Sequence, residues 1–145
     1  MGMDEWEGRT KKLIELKIDD IGPSANKFYS GMNIHARRRL ARDWHNKVMV
    51  AVSRQKIKRV TSYPICVECE CRFGKGARML DADNLFPTVK LIMDGLRHAK
   101  VLVEDSPRYV LAVTLIPVKS KDKGNVTLFR MLEKTDGIGD FRLSK

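Results

Sequence analysis

Two carboxylates that are separated by a single residue open the stretch of this chain that is best suited to chemistry. Asp81 and Asp83 belong to the tetrapeptide Asp-Ala-Asp-Asn, and Glu104 and Asp105 follow further along the chain. In extended backbone, residues i and i+2 point to the same side, so a strand-like segment would turn Asp81 and Asp83 toward one cavity. Two anions held close together resist full ionisation, and a bound Mg²⁺ or Mn²⁺ relieves that repulsion while leaving positions for phosphate and water. The spacing therefore predicts a site for a hard divalent cation, which Asp105 joins if the following strand returns beside the first.

The charge of the whole chain points to the substrate of such a site. The 145 residues carry a formal net charge of +10, with lysine and arginine crowded between Lys27 and Arg59 and again between Arg72 and Arg78. A basic surface attracts polyanions, whereas a local carboxylate cluster repels them unless divalent cations lie between. The combination favours a metal-dependent enzyme that acts on nucleic-acid phosphates. A membrane surface is the less favoured partner, because the apolar side of the basic helix is narrow and suits a protein core.

Composition is typical of one folded domain, since 43% of the residues are hydrophobic and 32% are charged. No apolar run approaches the roughly 20 residues of a membrane-spanning helix. The first residues, MGMDEWEG, carry acids in place of the basic and apolar blocks of a signal peptide. We therefore expect a soluble protein of the cytoplasm. The odd count of three cysteines argues against a closed disulfide framework and fits a reducing compartment.

Cys66, Cys69 and Cys71 also suggest a zinc site, but strand alternation sends Cys66 to the opposite face and no fourth ligand is evident. Buried strand cysteines are the favoured interpretation.

The pattern of apolar residues predicts an α+β domain in which a mixed β-sheet packs against two main helices. The predicted strands are residues 11–18, 63–73, 108–118 and 125–132; the predicted helices are residues 34–53 and a segment from near Asn84 to near His98. Residues 22–26, which contain Gly22 and Pro23, are expected to break regular structure. The polar turn at 120–124 predicts a hairpin between the last two strands, and the tail after Lys134 is expected to be mobile.

Each acidic residue also has a plain structural interpretation. Asp83 can cap the following helix through the backbone N–H groups of its first turn. Glu104 and Asp105 can be turn residues before Pro107. Both alternatives stay open on the sequence alone.

Taken together, the motifs resemble the RusA family of phage-type Holliday junction resolvases. The resemblance rests on the DADN at 81–84, on Lys90 and Asp94 one helical turn apart, on Gly95-Leu96, on the Val-Glu-Asp-Ser-Pro at 103–107, and on the Pro-Ser-Ala-Asn at 23–26. It covers roughly residues 11 to 132 and implies one RusA-like endonuclease domain over 1–145, with a mobile tail at 135–145.

The resemblance also implies a catalytic site. Asp81, Asp83 and Asp105 would bind the catalytic Mg²⁺, for which Mn²⁺ is a possible substitute, and Glu104 stands where the family has the first aspartate of an Asp-Asp pair. A helix lysine would assist. The family lysine follows the Asn by three residues, where this chain has Pro87, and Lys90 lies one turn later. A solvated surface lysine is the alternative for Lys90.

By the same resemblance the protein would act as a homodimer that nicks two strands of a four-way DNA junction. We expect the nucleic-acid contacts at Asn26, Arg37, Arg38, Arg39, Arg42, Lys75 and Arg78. For the arginines a solvated helix face is the alternative. Two other functions remain open: a non-catalytic basic DNA-binding accessory protein, and a flap or branched-DNA nuclease that uses the same metal site.

Overall fold

The structure is a computed structural model that describes residues 11–133. The elements are strand β1 (Lys12–Ile18), helix α1 (Ala25–Ser30), helix α2 (Ile34–Arg54), strand β2 (Ile65–Phe73), helix α3 (Phe86–His98), strand β3 (Val110–Lys119) and strand β4 (Val126–Glu133). A short 3-10 turn, Ala82–Leu85, leads directly into α3. The four strands form one mixed sheet, so the predicted α+β class is confirmed. The tail at 135–145, expected to be mobile, lies outside the described residues.

The order of the strands in the sheet is β1-β4-β2-β3. Strand β2 pairs in parallel with β3, whereas β4 runs antiparallel to both β1 and β2. The predicted hairpin between β3 and β4 is therefore wrong, because β2 lies between them. The connection at 120–125 crosses the end of β2 instead. A segment of this length spans up to about 20 Å, and two strand spacings need only about 10 Å.

The core lies between the sheet and helices α2 and α3. Alternate residues of β2 and β4, such as Val67 and Phe129, point to this side and are almost fully buried. They meet Trp44 from α2 and Ile92 from α3. Each such side chain contributes roughly 1.5–3 kcal/mol through removal of its apolar surface from water. The helices are thereby fixed to one face of the sheet.

Helices α2 and α3 approach each other closely at one point. A Cβ atom on Gly95 of α3 would lie 2.8 Å from Cβ of Val48 on α2. Only glycine fits at this crossing, because carbon atoms in ordinary contact are about 3.5–4.0 Å apart. The glycine of the Gly95-Leu96 motif thus has a packing role.

Helix α2 is 21 residues long, and only its second half is well buried. The buried residues are Trp44, Val48 and Ala51, so no side chain of the first ten positions is fully enclosed. The helix begins at Asn33, whose side chain accepts a hydrogen bond from the backbone N–H of Ala36. At 1.5 Å per residue the basic first half contributes about 15 Å of helix that is largely open to solvent. Among the helices of residues 11–133, none is long and apolar enough to cross a membrane.

The segment at 22–26 was expected to break regular structure, and this is correct only up to Ser24. Helix α1 begins immediately after it, and the Ser24 hydroxyl accepts a hydrogen bond from the backbone N–H of Lys27. The expectation failed because a six-residue helix is too short to display helical periodicity.

The three cysteines are buried in β2 and carry no disulfide, as the favoured interpretation predicted. The sulfur atoms of Cys69 and Cys71 lie 3.9 Å apart on the core side of the sheet. The hydrogen bond with Cys71 and burial together raise the pKa of the Cys69 thiol.

Arg130 binds three strands together on the other face of the sheet. Its guanidinium donates to Glu68 and Glu70 of β2 at 3.0 and 2.9 Å and to Glu15 of β1 at 3.3 Å. Burial alone would raise the pKa of Glu70, but the hydrogen bonds from Arg130 and Arg72 lower it below its usual value. The carboxylate of Glu70 is therefore held in its charged form by the fold.

Candidate metal centre and nucleic-acid surface

Asp81 and Asp83 lie on the turn that begins helix α3. The backbone of Asp81 is extended, and its carbonyl oxygen accepts a hydrogen bond from the N–H of Asn84 at 3.0 Å. Asp83 belongs to the 3-10 turn, so the backbone is not strand-like through both residues, and the predicted alignment of the two side chains on that basis is wrong. The two carboxylates flank Ala82 on a turn whose last residue, Leu85, is fully buried. Packing of Leu85 thus anchors the turn while its acids remain exposed.

Neither acid has a structural partner among residues 11–133. Asp81 makes no side-chain capping bond, and the residue that precedes α3 is Leu85, which has no capping side chain. Asp83 forms no hydrogen bond or ion pair with the described residues. The capping interpretation of Asp83 is therefore wrong. Both carboxylates are available to a ligand.

Asp105 and Lys90 line one hollow between α3 and β3. The cavity has a volume of about 240 Å³, and its walls include Phe86, Met93 and Val113. The Nζ of Lys90 is exposed and has no ion-pair partner in the described part of the chain. Phe86 directly follows the turn that carries Asp83, so this hollow begins one residue past that turn. Asp81 and Asp83 themselves are not among its lining residues.

The carboxylate of Asp105 is already paired. One guanidinium nitrogen of Arg97 lies 3.3 Å from Asp105 Oδ1, and the other lies 3.3 Å from Asp94 Oδ1. Glu104 beside it is exposed and makes no such contact. Asp105 is therefore not a simple turn residue, because its partner is on α3. Arg97 was not singled out by the sequence, although its position one turn after Asp94 was a usable signal.

The structure brings the predicted metal ligands onto adjoining elements without gathering them. Within residues 11–133, no three His, Cys, Asp or Glu side chains are close enough to hold a metal ion. Mg²⁺ in proteins is commonly bound through one or two carboxylates, with phosphate oxygens and water completing its six positions. Asp81 and Asp83 are exposed oxygen donors without partners among residues 11–133, so they are of the ligand type that a hydrated magnesium ion uses.

Asn26 lies on α1, which packs beside the 3-10 turn. The approach is fixed by a buried hydrogen bond of 2.9 Å from the N–H of Gly22 to the hydroxyl of Thr88 in α3. A Cβ on Gly22 would lie 2.9 Å from that hydroxyl oxygen, so the close contact needs glycine. The side chain of Asn26 is exposed. The fold therefore brings the element that carries Asn26 next to the element that carries Asp83.

The four predicted arginine contacts cluster on the open half of α2. Arg38, Arg39 and Arg42 line a shallow hollow of about 460 Å³ together with His35. Neither these three nor Arg37 forms an ion pair with any described carboxylate. Residues 31–33 alone separate α1 from α2, so the first turn of α2 begins within about 14 Å of the end of α1. The uncompensated positive charge thus starts close to the element that bears Asn26.

Lys75 and Arg78 lie on the loop that follows β2, and the structure adds neighbours that the sequence did not single out. The β3–β4 connection packs against this loop, with Lys75 N–H donating to the carbonyl of Asp122 at 2.7 Å. The connection carries Lys121 and Lys123. These lysines were missed because a hairpin turn would have pointed away from the loop after β2.

Neither the models of known protein families nor the curated proteins match this chain.

Proposed function

We propose that this protein is a magnesium-dependent, structure-selective endodeoxyribonuclease that resolves four-way DNA junctions by paired nicks. The observation that carries the proposal is the pair Asp81 and Asp83: two exposed carboxylates without structural partners in a chain of net charge +10. Two neighbouring carboxylates open to solvent offer oxygen donors to a divalent cation, and a bound cation would relieve the repulsion between them. The resemblance of the surrounding motifs to the RusA family supplies the substrate class.

The chain's own residues account for binding and positioning. Asp81 and Asp83 would hold Mg²⁺ (Mn²⁺ is a possible substitute), with Asp105 and Glu104 as further candidate ligands after exchange of the Asp105–Arg97 ion pair. Bound there, the ion supplies Lewis-acid chemistry that polarises the scissile phosphate and acidifies an attacking water. The free ammonium of Lys90 stabilises negative charge that develops on the phosphate or on the leaving oxygen. The arginines of α2, with Asn26, Lys75 and Arg78, hold the DNA backbone and carry no base specificity.

Paired nicks in opposed strands require two equivalent sites, so the proposal includes a homodimer with twofold symmetry. The substrate is branched DNA in the cytoplasm of a bacterial or phage-infected cell. The dimer sets the angle between the two sites, and that angle selects the junction over other DNA.

Asp83→Asn tests the proposal directly. The variant keeps the shape of the side chain and loses its charge. Mutation of residues that only hydrogen-bond to metal ligands already lowers activity by about 10- to 100-fold. Junction cleavage with Mg²⁺ should therefore fall at least about a hundredfold. Junction binding measured in EDTA should stay within about twofold, because removal of an acid leaves the basic surfaces intact. The matched control is Asp19→Asn, which removes another exposed carboxylate outside the candidate site and should cleave normally.

The same assay separates the rival functions. A non-catalytic DNA-binding protein would bind the junction and cut nothing in Mg²⁺ or Mn²⁺. A flap nuclease would cut a flap substrate faster than a four-way junction or a linear duplex. Cleavage by Asp83→Asn equal to that of the wild-type protein would reject the metal assignment.

A further inference from the structure

Two loops at one end of the sheet are joined by several backbone contacts. Besides the bond between Lys75 and Asp122, the N–H of Gly74 donates to the side-chain oxygen of Asn125 at 3.0 Å, and the ammonium of Lys119 donates to the carbonyl of Ala77 at 2.6 Å. A Cβ on Gly74 would lie 2.3 Å from the carbonyl oxygen of Gly124, so the two backbones touch. The loop at 74–78 and the connection at 120–125 form one platform.

This platform concentrates positive charge that is not neutralised. We call its exposed cations the loop ridge: Lys75, Arg78, Lys119, Lys121 and Lys123. One carboxylate, Asp122, lies among them, and no member of the ridge forms an ion pair with any acid in residues 11–133.

Some basic residues elsewhere in the protein do have acidic partners. Lys12 pairs with Glu15, Lys47 pairs with Asp20, and Arg97 bridges two aspartates. Within residues 11–133 the acids thus neutralise some cations, but none of those in the loop ridge. Like charges that are held together by backbone contacts form a surface that favours a polyanion.

The ridge also lies next to the candidate site. Arg78 precedes Asp81 by three residues, so their Cα atoms are at most about 11 Å apart. The bond from Lys119 to Ala77 fixes the chain immediately before this segment. A phosphate backbone that follows the ridge therefore leads toward the two free carboxylates.

We propose that the loop ridge binds the phosphate backbone of the DNA arm that carries the scissile phosphate, as a contact surface separate from the arginines of α2. This inference rests on the proposed function for the nature of the polyanion. The β3–β4 connection, which looks from the sequence like an ordinary hairpin turn, becomes part of the DNA interface. Lys121 and Lys123 contribute charge at its exposed tip.

The test compares two double variants of the full-length protein that lose the same charge. Lys121→Gln with Lys123→Gln removes the tip of the ridge, whereas Lys11→Gln with Lys58→Gln removes two exposed lysines near the start of β1, at the opposite end of the sheet. A fluorescent four-way DNA junction is titrated in EDTA over a series of salt concentrations, and unfolding curves verify that both variants are folded.

If each ridge lysine neutralises one phosphate, the ridge variant should lower the slope of log K against log salt by about 1.8, at about 0.9 per phosphate. Between about 50 and 200 mM salt, the wild-type affinity should then fall about twelvefold further than that of the ridge variant. The control variant should keep the wild-type slope. Lys121→Arg with Lys123→Arg should restore it, because the charge returns.

One possible result is that the wild-type protein binds the junction with the same salt slope as the ridge variant and the control. That result would overturn the proposal that the ridge binds DNA and would leave the proposed function standing. A wild-type protein that does not bind the junction at all would overturn both. A lower salt slope in the ridge variant, together with a wild-type protein that binds the junction but does not cut it, would support DNA binding by the ridge and reject the nuclease function.

Discussion

Gly95→Ala is expected to destabilise the protein even though alanine is the better helix former. In the middle of a helix alanine is favoured over glycine by about 1 kcal/mol. Here the added methyl group would lie 2.8 Å from both Cβ and Cγ2 of Val48, and 3.0 Å from its Cγ1. Rotation about χ1 moves the γ carbons of Val48 but not its Cβ, so the backbones of α2 and α3 must separate. Overpacking of this kind costs about 1–3 kcal/mol, which leaves a net loss of up to about 2 kcal/mol.

Urea denaturation measures this loss as a lower midpoint with an unchanged slope. Val48→Ala provides the partner for a double-mutant cycle, because it removes two of the three atoms that the new methyl group would meet. The double variant should be more stable than the sum of the two single losses predicts, by roughly 1 kcal/mol. If Gly95→Ala were more stable than the wild-type protein by the full helix-propensity gain of about 1 kcal/mol, the close crossing of α2 and α3 would be refuted.

Two further predictions concern charged groups. Glu70→Gln should cost about 1–3 kcal/mol at neutral pH, because the Glu70 side chain is only 14% exposed and Arg130 and Arg72 lose a charged acceptor. Since the pKa of Glu70 is lower in the folded state than its ordinary 4.5, its stabilisation is complete above that value and is lost as pH falls through the folded pKa. The difference in unfolding free energy between the two proteins should therefore shrink in acid, and a constant difference would contradict the assignment. Arg97→Gln should strengthen Mn²⁺ binding, measured by calorimetry, by up to about fivefold, because an exposed ion pair that competes for Asp105 is worth at most about 1 kcal/mol. The control is Arg108→Gln, which removes a nearby cation without an ion pair to any described acid; an equal gain in both variants would mean that net charge, and not release of Asp105, is responsible.

The main elements of the fold could be predicted because their apolar residues repeat over several turns or strand positions. Helix α2 repeats through Trp44, Val48 and Ala51, and these are the residues of that helix that the core encloses. Helix α1 and the strand order could not be predicted in this way. The short α1 is determined by the Ser24 cap and by the contact of Gly22 with Thr88, which is distant in sequence.

The candidate site could be predicted only in part from the sequence, because some of its contacts join residues that are distant along the chain. Local spacing identified Asp81 and Asp83 as unusual acids, and the structure removes the capping alternative for Asp83. The partner of Asp105 depends on where α3 ends relative to the following loop. The neighbours of Lys75 depend on β2 lying between β3 and β4, which is a property of the whole sheet.

The pairing of Asp105 with Arg97 decides whether the third aspartate can serve the proposed metal site. Both side chains are about two-fifths exposed, at 40% and 39%, and their closest atoms are 3.3 Å apart. An ion pair so open to water contributes between about 0 and 1 kcal/mol, because solvent screens the attraction and two long side chains must be ordered to form it. Arg97 also keeps a second partner in Asp94 when Asp105 leaves, so no buried charge is abandoned. A carboxylate released at so small a cost does not have to be gathered beside Asp81 and Asp83 in advance. The absence of a three-donor cluster among residues 11–133 is therefore compatible with a site that Asp81 and Asp83 begin and that phosphate, water and Asp105 complete.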